Sequence, residues 1–269
     1  MANWFVTVMM PSTRPPRAAS LRALTSEPDY ASRLVAALPA LDAAESPELA
    51  IQAFERAIEG LGGEAGVFTS CLHDDATTVS YRSLLACDPH WAAEYARREW
   101  FACDPWLRHA LHDSEPVRSS ELRLVTPDEQ RFVDESACLG FASAVIAPAP
   151  TCVGSSRVGV LCIGSSRPDF FDDDEGYAVV RVLARALSME LNRWMLKSAR
   201  QELLERWHLS PLDLELLRQE AVGRGSKYIS ASLGVRAVTV DARFQRICAK
   251  LDVPNRRTAA RIARLYGVI

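Results

Sequence analysis

The sequence has no apolar run approaching the ~18 residues that a membrane-spanning helix requires, so it does not read as a membrane protein. Its seven cysteines (71, 87, 103, 138, 152, 162 and 248) are odd in number and scattered, and no C-x-x-C occurs. That pattern argues against a disulfide framework or a zinc site and leaves buried free thiols as the default. Histidine is scarce, with five in 269 residues, and G-x-S-x-G, H-E-x-x-H and a phosphate loop are all missing. A cysteine hydrolase would need Cys138 or Cys152 beside His73, His109 or His112, and no spacing ties any such pair. The chain is therefore not expected to be an enzyme, nor to carry a metal or a cofactor. The brief apolar patch in "MANWFVTVMM" has no basic region before it and no cleavage site after it, so a cytoplasmic location is expected.

What is present is the composition of a globular protein, 48% hydrophobic and 24% charged, at a length that suits two domains. The net charge of −3 hides an asymmetry. From residue 209 onward there are 11 Lys and Arg against 5 Asp and Glu, a net of +6, which leaves −9 on the first 208 residues. A small basic tail on an acidic body suggests a nucleic-acid module joined to something that does not touch nucleic acid.

Residues 1–28, rich in Pro, Ser and Arg, read as a loose leader. Helices are expected over 29–40 and 47–61, the second ending at Gly62-Gly63. "GVFTSCL" (66–72) and "TTVSYRSLL" (77–85) read as a hairpin across "HDDA". Thr126 and Glu129 form a capping-box pattern for a helix to about Cys138. "SAVIAPA" (143–149) and "RVGVLCIGS" (157–165) are two further strands. A long helix is expected from Asp172 to about Ala199, where Tyr177, Val180, Ala184, Leu187, Leu191 and Trp194 recur at 3-4-3-4-3 spacing. That stripe could pack on the domain's own sheet, build part of a dimer seam, or both. The sum is an α+β chain: an α-β-α sandwich over 29–200, a linker over 201–208, and an all-α domain over 209–269.

One stretch concentrates candidate ligand chemistry: "CDPHWAAEYARREWFACDPW", residues 87–106. Asp88-Pro89 and Asp104-Pro105 are helix starts, with Asp as cap and Pro at the first turn. Trp91 and Tyr95, four apart, share one helical face. They are either core aromatics or the wall of a pocket, and Asp104 is either a cap or a ligand's partner. A buried indole N–H and a buried carboxylate both need hydrogen-bond partners.

The tail reads as helix-turn-helix. Ser210-Pro211 starts a helix to about Val222, Ser226 starts a short second one to Leu233, "GVR" makes a tight turn, and a third runs from about Ala237 to Leu251. A fourth begins near Arg256. On the third helix Val240, Phe244, Ile247 and Leu251 form a core stripe. Thr239, Arg243, Arg246 and Lys250 form an adjacent cationic and hydroxylic stripe suited to DNA phosphates and base edges. Asp241 is awkward beside phosphates and could restrain a neighbouring Arg or read a cytosine amine.

Along its whole length this tail resembles the C-terminal domain of the LuxR-type quorum-sensing regulators. The matching residues are Leu209-Ser210-Pro211, Gly225-Ser226-Lys227, Thr239-Val240, Lys250-Leu251, Val253, Asn255-Arg256 and Gly267-Val268-Ile269. The departures are Asp213, where a Glu is usual, and Arg243, where a His is frequent. Trp91, Tyr95, Asp104 and Pro105 likewise sit at the spacing of the acyl-homoserine-lactone-binding domain that precedes such tails. The resemblance implies that Trp91 donates to a lactone carbonyl, that Asp104 accepts the ligand amide N–H, and that Tyr95 lines or bonds the acyl-amide region. It also points to Trp106, Ser119 and Cys162 as pocket positions, each with an altered residue. Trp106 stands where a smaller residue is common, Ser119 near an expected aromatic, and Cys162 where a Ser or Thr often faces the ligand. Cys87 stands where a ligand-contacting Tyr is frequent. The implied protein is a homodimeric, ligand-responsive transcription factor that holds a duplex operator through Lys227, Thr239, Arg243, Arg246 and Lys250. A sensor of another compound, or one that acts without ligand, is the alternative.

Overall fold

The computed structural model describes residues 4–6, 19–73, 79–150 and 157–269. Six strands, β1 (Trp4–Val6), β2 (Ala65–His73), β3 (Val79–Ala86), β4 (Val117–Arg118), β5 (Ser143–Pro150) and β6 (Arg157–Ser165), form one sheet in the order β1-β3-β2-β6-β5-β4. All pairings are antiparallel except the short edge pairing of β1 with β3. The hairpin turn and the β5–β6 loop expected from the sequence fall largely outside the described residues.

Side-chain alternation gives the sheet two apolar faces. Ala65, Val67, Cys71, Ala144, Ile146, Val158, Val160 and Cys162 point to one face, where α4 (Pro89–Arg97), α5 (Pro105–His112) and α6 (Pro127–Ser136) pack. The register aligns Leu85, Val67, Cys162, Ile146 and Val117 in a single row across five strands. The other face receives α3 (Pro47–Leu61), with α2 (Tyr30–Asp42) beside it, and α7 (Asp174–Trp207). Ser188 of α7 donates to the Ala147 carbonyl at 2.8 Å there. The arrangement is the expected sandwich. The α7 stripe Tyr177, Val180, Ala184, Leu187, Leu191 and Trp194 is buried throughout.

Three expectations change. The leader contains ordered elements: β1, and α1 (Leu21–Thr25), whose Leu21 and Leu24 are buried. The expected linker over 201–208 is helical to Trp207, because "QELLERW" holds neither Gly nor Pro and its Leu203 and Trp207 find buried places. The capping box at α6 is only half formed. Thr126 Oγ1 accepts from Glu129 N at 3.1 Å, but Glu129 turns its carboxylate to Val125 N and Arg108 instead of closing the box.

The chain divides into two compact units at Trp194–Met195, inside α7. The second unit comprises the end of α7 with α8 (Pro211–Ala221), α9 (Ser226–Leu233), α10 (Ala237–Leu251) and α11 (Arg256–Leu265). Its core is Leu216, Leu217, Ile229, Val240, Phe244, Ile247, Ala259 and Ala263. Gly234, at φ +66°, makes the turn between α9 and α10 that a Cβ would strain. Among the described residues no helix is long and apolar enough to cross a membrane, and no group of His, Cys, Asp and Glu could hold a metal ion.

Candidate ligand site and nucleic-acid interface

The two Asp-Pro pairs set the geometry of the first site. Asp88 Oδ1 accepts from His90 N at 2.8 Å and starts α4, which turns Trp91, Ala92 and Tyr95 inward. Asp104 starts α5 with Oδ1 accepting from Trp106 N at 2.8 Å and Leu107 N at 3.1 Å. Its other oxygen, Oδ2, takes the Tyr95 hydroxyl proton at 2.9 Å. Capping thus accounts for one carboxylate oxygen, and the second is aimed into the domain beside Tyr95.

Around this carboxylate the aromatics form a continuous cluster. Trp91 lies 4.8 Å from Tyr95 and 5.9 Å from Phe141 by ring centroids. Trp100 meets Phe132 edge-on at 5.1 Å, and Trp106 packs on Phe132 at 4.8 Å and Phe141 at 5.4 Å. Phe141 gets there through a tight turn after α6. Gly140 adopts φ +97°, and Gly164 of β6 lies so close that a Cβ on it would sit 2.4 Å from the Gly140 carbonyl. Cys162 belongs to the same cluster from the sheet side.

Electrostatics mark the site as unusual. Burial pushes the Asp104 carboxyl up to about 6, against the opposing pull of the Leu107, Tyr95 and Trp106 hydrogen bonds. The Tyr95 phenol and the Cys162 thiol are both raised well above their ordinary values, by burial first and by the Asp104 charge second. More telling, Trp91 and Trp106 are 3% and 1% exposed, and neither indole Nε1–H has a hydrogen-bond partner among the described residues. An unmet buried donor costs about 1–3 kcal/mol, and this aromatic cluster holds two of them. Two surface grooves lie elsewhere, one beside Arg33 and Arg56 and one beside Arg108 and His112. None of Trp91, Tyr95, Asp104 or Trp106 lines either.

The structure brings Trp91, Tyr95, Asp104, Trp106 and Cys162 together. Ser119 is half-buried, with its Oγ accepting from the N–H of Ala144, a β5 member of the same apolar cluster, at 3.0 Å. Cys87 is half-buried at the cluster's margin. Trp100, Phe132 and Phe141 were not singled out from sequence. Trp100 stood within the quoted stretch, whereas nothing in the pattern around Phe132 or Phe141 marks them. Tyr81 was also missed: burial, with lesser contributions from Cys71 and Asp104, raises its phenol.

In the second unit α10 buries Val240, Phe244, Ile247 and Leu251. The cationic stripe beside them divides. Thr239 and Arg246 are exposed, and Lys227 is exposed at the start of α9. Arg243 instead donates to Asp213 Oδ1 at 3.2 Å, while Lys250 donates to the His208 carbonyl at 2.7 Å and lies 3.7 Å from Asp213 Oδ2. Asp213 is the third residue of α8 and forms a reciprocal capping box with Ser210. Burial alone would raise its carboxyl, but the Ser210 bonds, Lys250 and Arg243 hold it below the ordinary value. Two of the four members of the stripe thus have partners within the domain: Arg243 at Asp213, and Lys250 at the His208 carbonyl with Asp213 beyond it. Asp241 accepts from Ser226 Oγ at 2.7 Å, and that hydroxyl also takes an Arg256 proton at 2.7 Å. Asp241 also lies 3.8 Å from Arg256 Nη1.

Both parts of the chain match known domain families. The autoinducer binding domain matches residues 46–191, more than half of the chain, and the model described as bacterial regulatory proteins, luxR family, matches residues 208–263. The crystal structure of Escherichia coli SdiA superposes with a TM-score of 0.65 at 18% identity, covering 90% of this chain and 99% of that one. SdiA in complex with octanoyl-rac-glycerol gives 0.63 at 16%, over 90% and 97%. The N-acylhomoserine lactone dependent factor CepR2 of Burkholderia cenocepacia gives 0.52 at 17%, over 61% and 95%. No curated protein sequence matches significantly. With an autoinducer-binding domain ahead of a luxR-type helix-turn-helix, this chain belongs to the LuxR family of transcriptional regulators.

Proposed function

We propose that the protein is a ligand-responsive regulator of quorum-sensing type, acting in the cytoplasm. A small signal enters the sensor domain and biases how two helix-turn-helix units of a homodimer meet the half-sites of a pseudo-palindromic operator. The observation that carries this reading is the pair of buried, acceptor-less indole N–H groups of Trp91 and Trp106 in one cluster with the Asp104 carboxylate. An N-acyl-homoserine lactone offers the complementary set. Its lactone carbonyl accepts from Trp91, its amide N–H donates to Asp104, and Tyr95 and Cys162 line the acyl-amide region, with Ser119 at the sheet edge. Exposed Val179, Val182 and Met189 on α7 favour a second copy packing there. Lys227, Thr239 and Arg246 serve DNA directly, while Arg243 and Lys250 serve it by fixing α10 to the start of α8.

Operator affinity measured with and without a panel of N-acyl-homoserine lactones tests the coupling. Indifference to every lactone removes the lactone and leaves the DNA binder. One observation favours a second reading, in which the sensor takes a non-lactone compound or needs none. Trp106 fills the space between Phe132 and Phe141 where a smaller residue would leave room. Full operator binding by protein from which mass spectrometry recovers no small molecule would favour that reading.

A further inference from the structure

The face of α10 turned furthest from its own core carries no charge. Half a helical turn from Val240, Phe244, Ile247 and Leu251 lie Val238, Ala242, Gln245 and Ala249, again at 4-3-4 spacing, and all four are exposed. Val238, 78% exposed, is a branched apolar side chain left in water at the second position of the helix. The charges nearest this stripe are turned elsewhere. Arg243 and Lys250 are held by Asp213 and the His208 carbonyl. Asp241 is held by Ser226, with Arg256 on the same hydroxyl. Thr239 and Arg246 flank the stripe on one side.

We infer that α10 reads the major groove through this uncharged stripe, so that the half-site carries A·T pairs where the helix meets it. In a helix-turn-helix the N-terminal part of the second helix contacts base edges. Only thymine presents a methyl group there, which apolar side chains such as Val238 and Ala242 recognise, and adenine is the base that a glutamine pairs bidentately through N6 and N7. Val238 and Gln245 are separated by about 10 Å along the helix axis, which spans about three base pairs. Arg246 and Lys227 supply phosphate contacts that carry no sequence preference. The inference rests on the reading of the tail as a DNA binder.

The test begins with selection of duplexes from a random pool by the full-length protein, followed by binding measurements at one fixed salt concentration. Enriched half-sites with A·T pairs within a window of about three base pairs are expected. Replacing thymine there by uracil, which removes only the methyl, weakens binding about fourfold per methyl. Val238→Ala abolishes that penalty at one position. Gln245→Ala lowers the preference for adenine at its position by about 5- to 160-fold. Both residues are exposed, so the folded domain tolerates the changes. Half-sites read at G·C pairs throughout, or uracil substitution without effect in DNA that the protein binds, overturn the inference alone. Failure to enrich any duplex overturns the DNA-binding reading and the inference with it.

Discussion

Tyr95 gives its hydroxyl proton to Oδ2 of Asp104 across 2.9 Å, while Oδ1 of the same carboxylate caps α5 through two backbone N–H groups. One acid therefore holds together the start of a helix and the wall of the aromatic cluster. Its burial makes it sensitive to pH in a range where most carboxylates are not.

The folded Asp104 carboxyl titrates at about 6, against about 3.9 in an unfolded chain. Between those values the folded state keeps a proton that the unfolded state has released, so stability falls as pH rises through the window and levels off above it. The expected loss is on the order of 2–3 kcal/mol from pH 4 to pH 7. Asp104→Asn keeps an oxygen for the Trp106 and Leu107 N–H groups but cannot ionise. Urea denaturation of the two proteins at several pH values should show this contribution to the slope in the wild type and its disappearance in the variant. Identical pH profiles would contradict a buried, elevated carboxyl.

Ligand affinity should show the opposite trend. An amide N–H donated to Asp104 favours the ionised form, so binding an amide signal expels a proton from any molecule still protonated. Affinity is expected to climb as pH rises from about 5 and to plateau above about 6. Titration calorimetry in buffers of different ionisation enthalpy reads that proton directly. Affinity independent of pH across this range would leave Asp104 with capping alone.

Trp91→Phe and Trp106→Phe keep a ring while deleting the indole N–H. Because each donor is buried without an acceptor, its loss relieves a cost of about 1–3 kcal/mol, set against a smaller ring that packs less completely. The unliganded domain should lose little or no stability, whereas ligand affinity should fall tenfold or more at each position that donates to the signal. Thermal melts with and without ligand separate the two effects. A large loss of stability without ligand would assign the ring to the core and not to the pocket.

Much of this is legible in the sequence, and what is not shares a physical cause. Periodicity locates the buried side of a helix, so the α7 stripe and the core face of α10 were read directly. Capping chemistry is local, so the Asp-Pro starts of α4 and α5 were readable too. What periodicity lacks is the neighbour. Arg243 and Lys250 lie on the stripe that helical spacing assigned to DNA, yet Asp213, distant in sequence, claims both. The tail's two departures from the family pattern, Asp213 and Arg243, touch each other. Phe132 and Phe141 escaped notice for the same reason: a fold-level turn at Gly140 brings Phe141 to the cluster, and no local pattern announces it. The orphaned indoles follow from packing on every side and have no local signature either.

That division of the α10 cations yields the last prediction. Arg246 is exposed, with Nε reaching only the Ala242 carbonyl of its own helix at 3.5 Å, so Arg246→Ala should weaken binding to all duplexes alike and reduce the slope of log affinity against log salt by about 1. Arg243→Ala removes the bond to Asp213, a carboxyl held below its ordinary value and therefore stabilising while ionised. It should cost the helix-turn-helix domain about 1–2 kcal/mol, in the range of a lost charge-assisted bond, and leave the salt slope nearly unchanged. The contribution of Asp213 is present above the unfolded pKa and is lost as pH falls through the lower folded value, so the stability gap between wild type and Arg243→Ala should narrow in acid. Binding isotherms at several salt concentrations, paired with denaturation at pH 7 and near pH 3, distinguish the two arginines. Should Arg243→Ala lower the salt slope as much as Arg246→Ala, the guanidinium leaves Asp213 for the phosphate on binding.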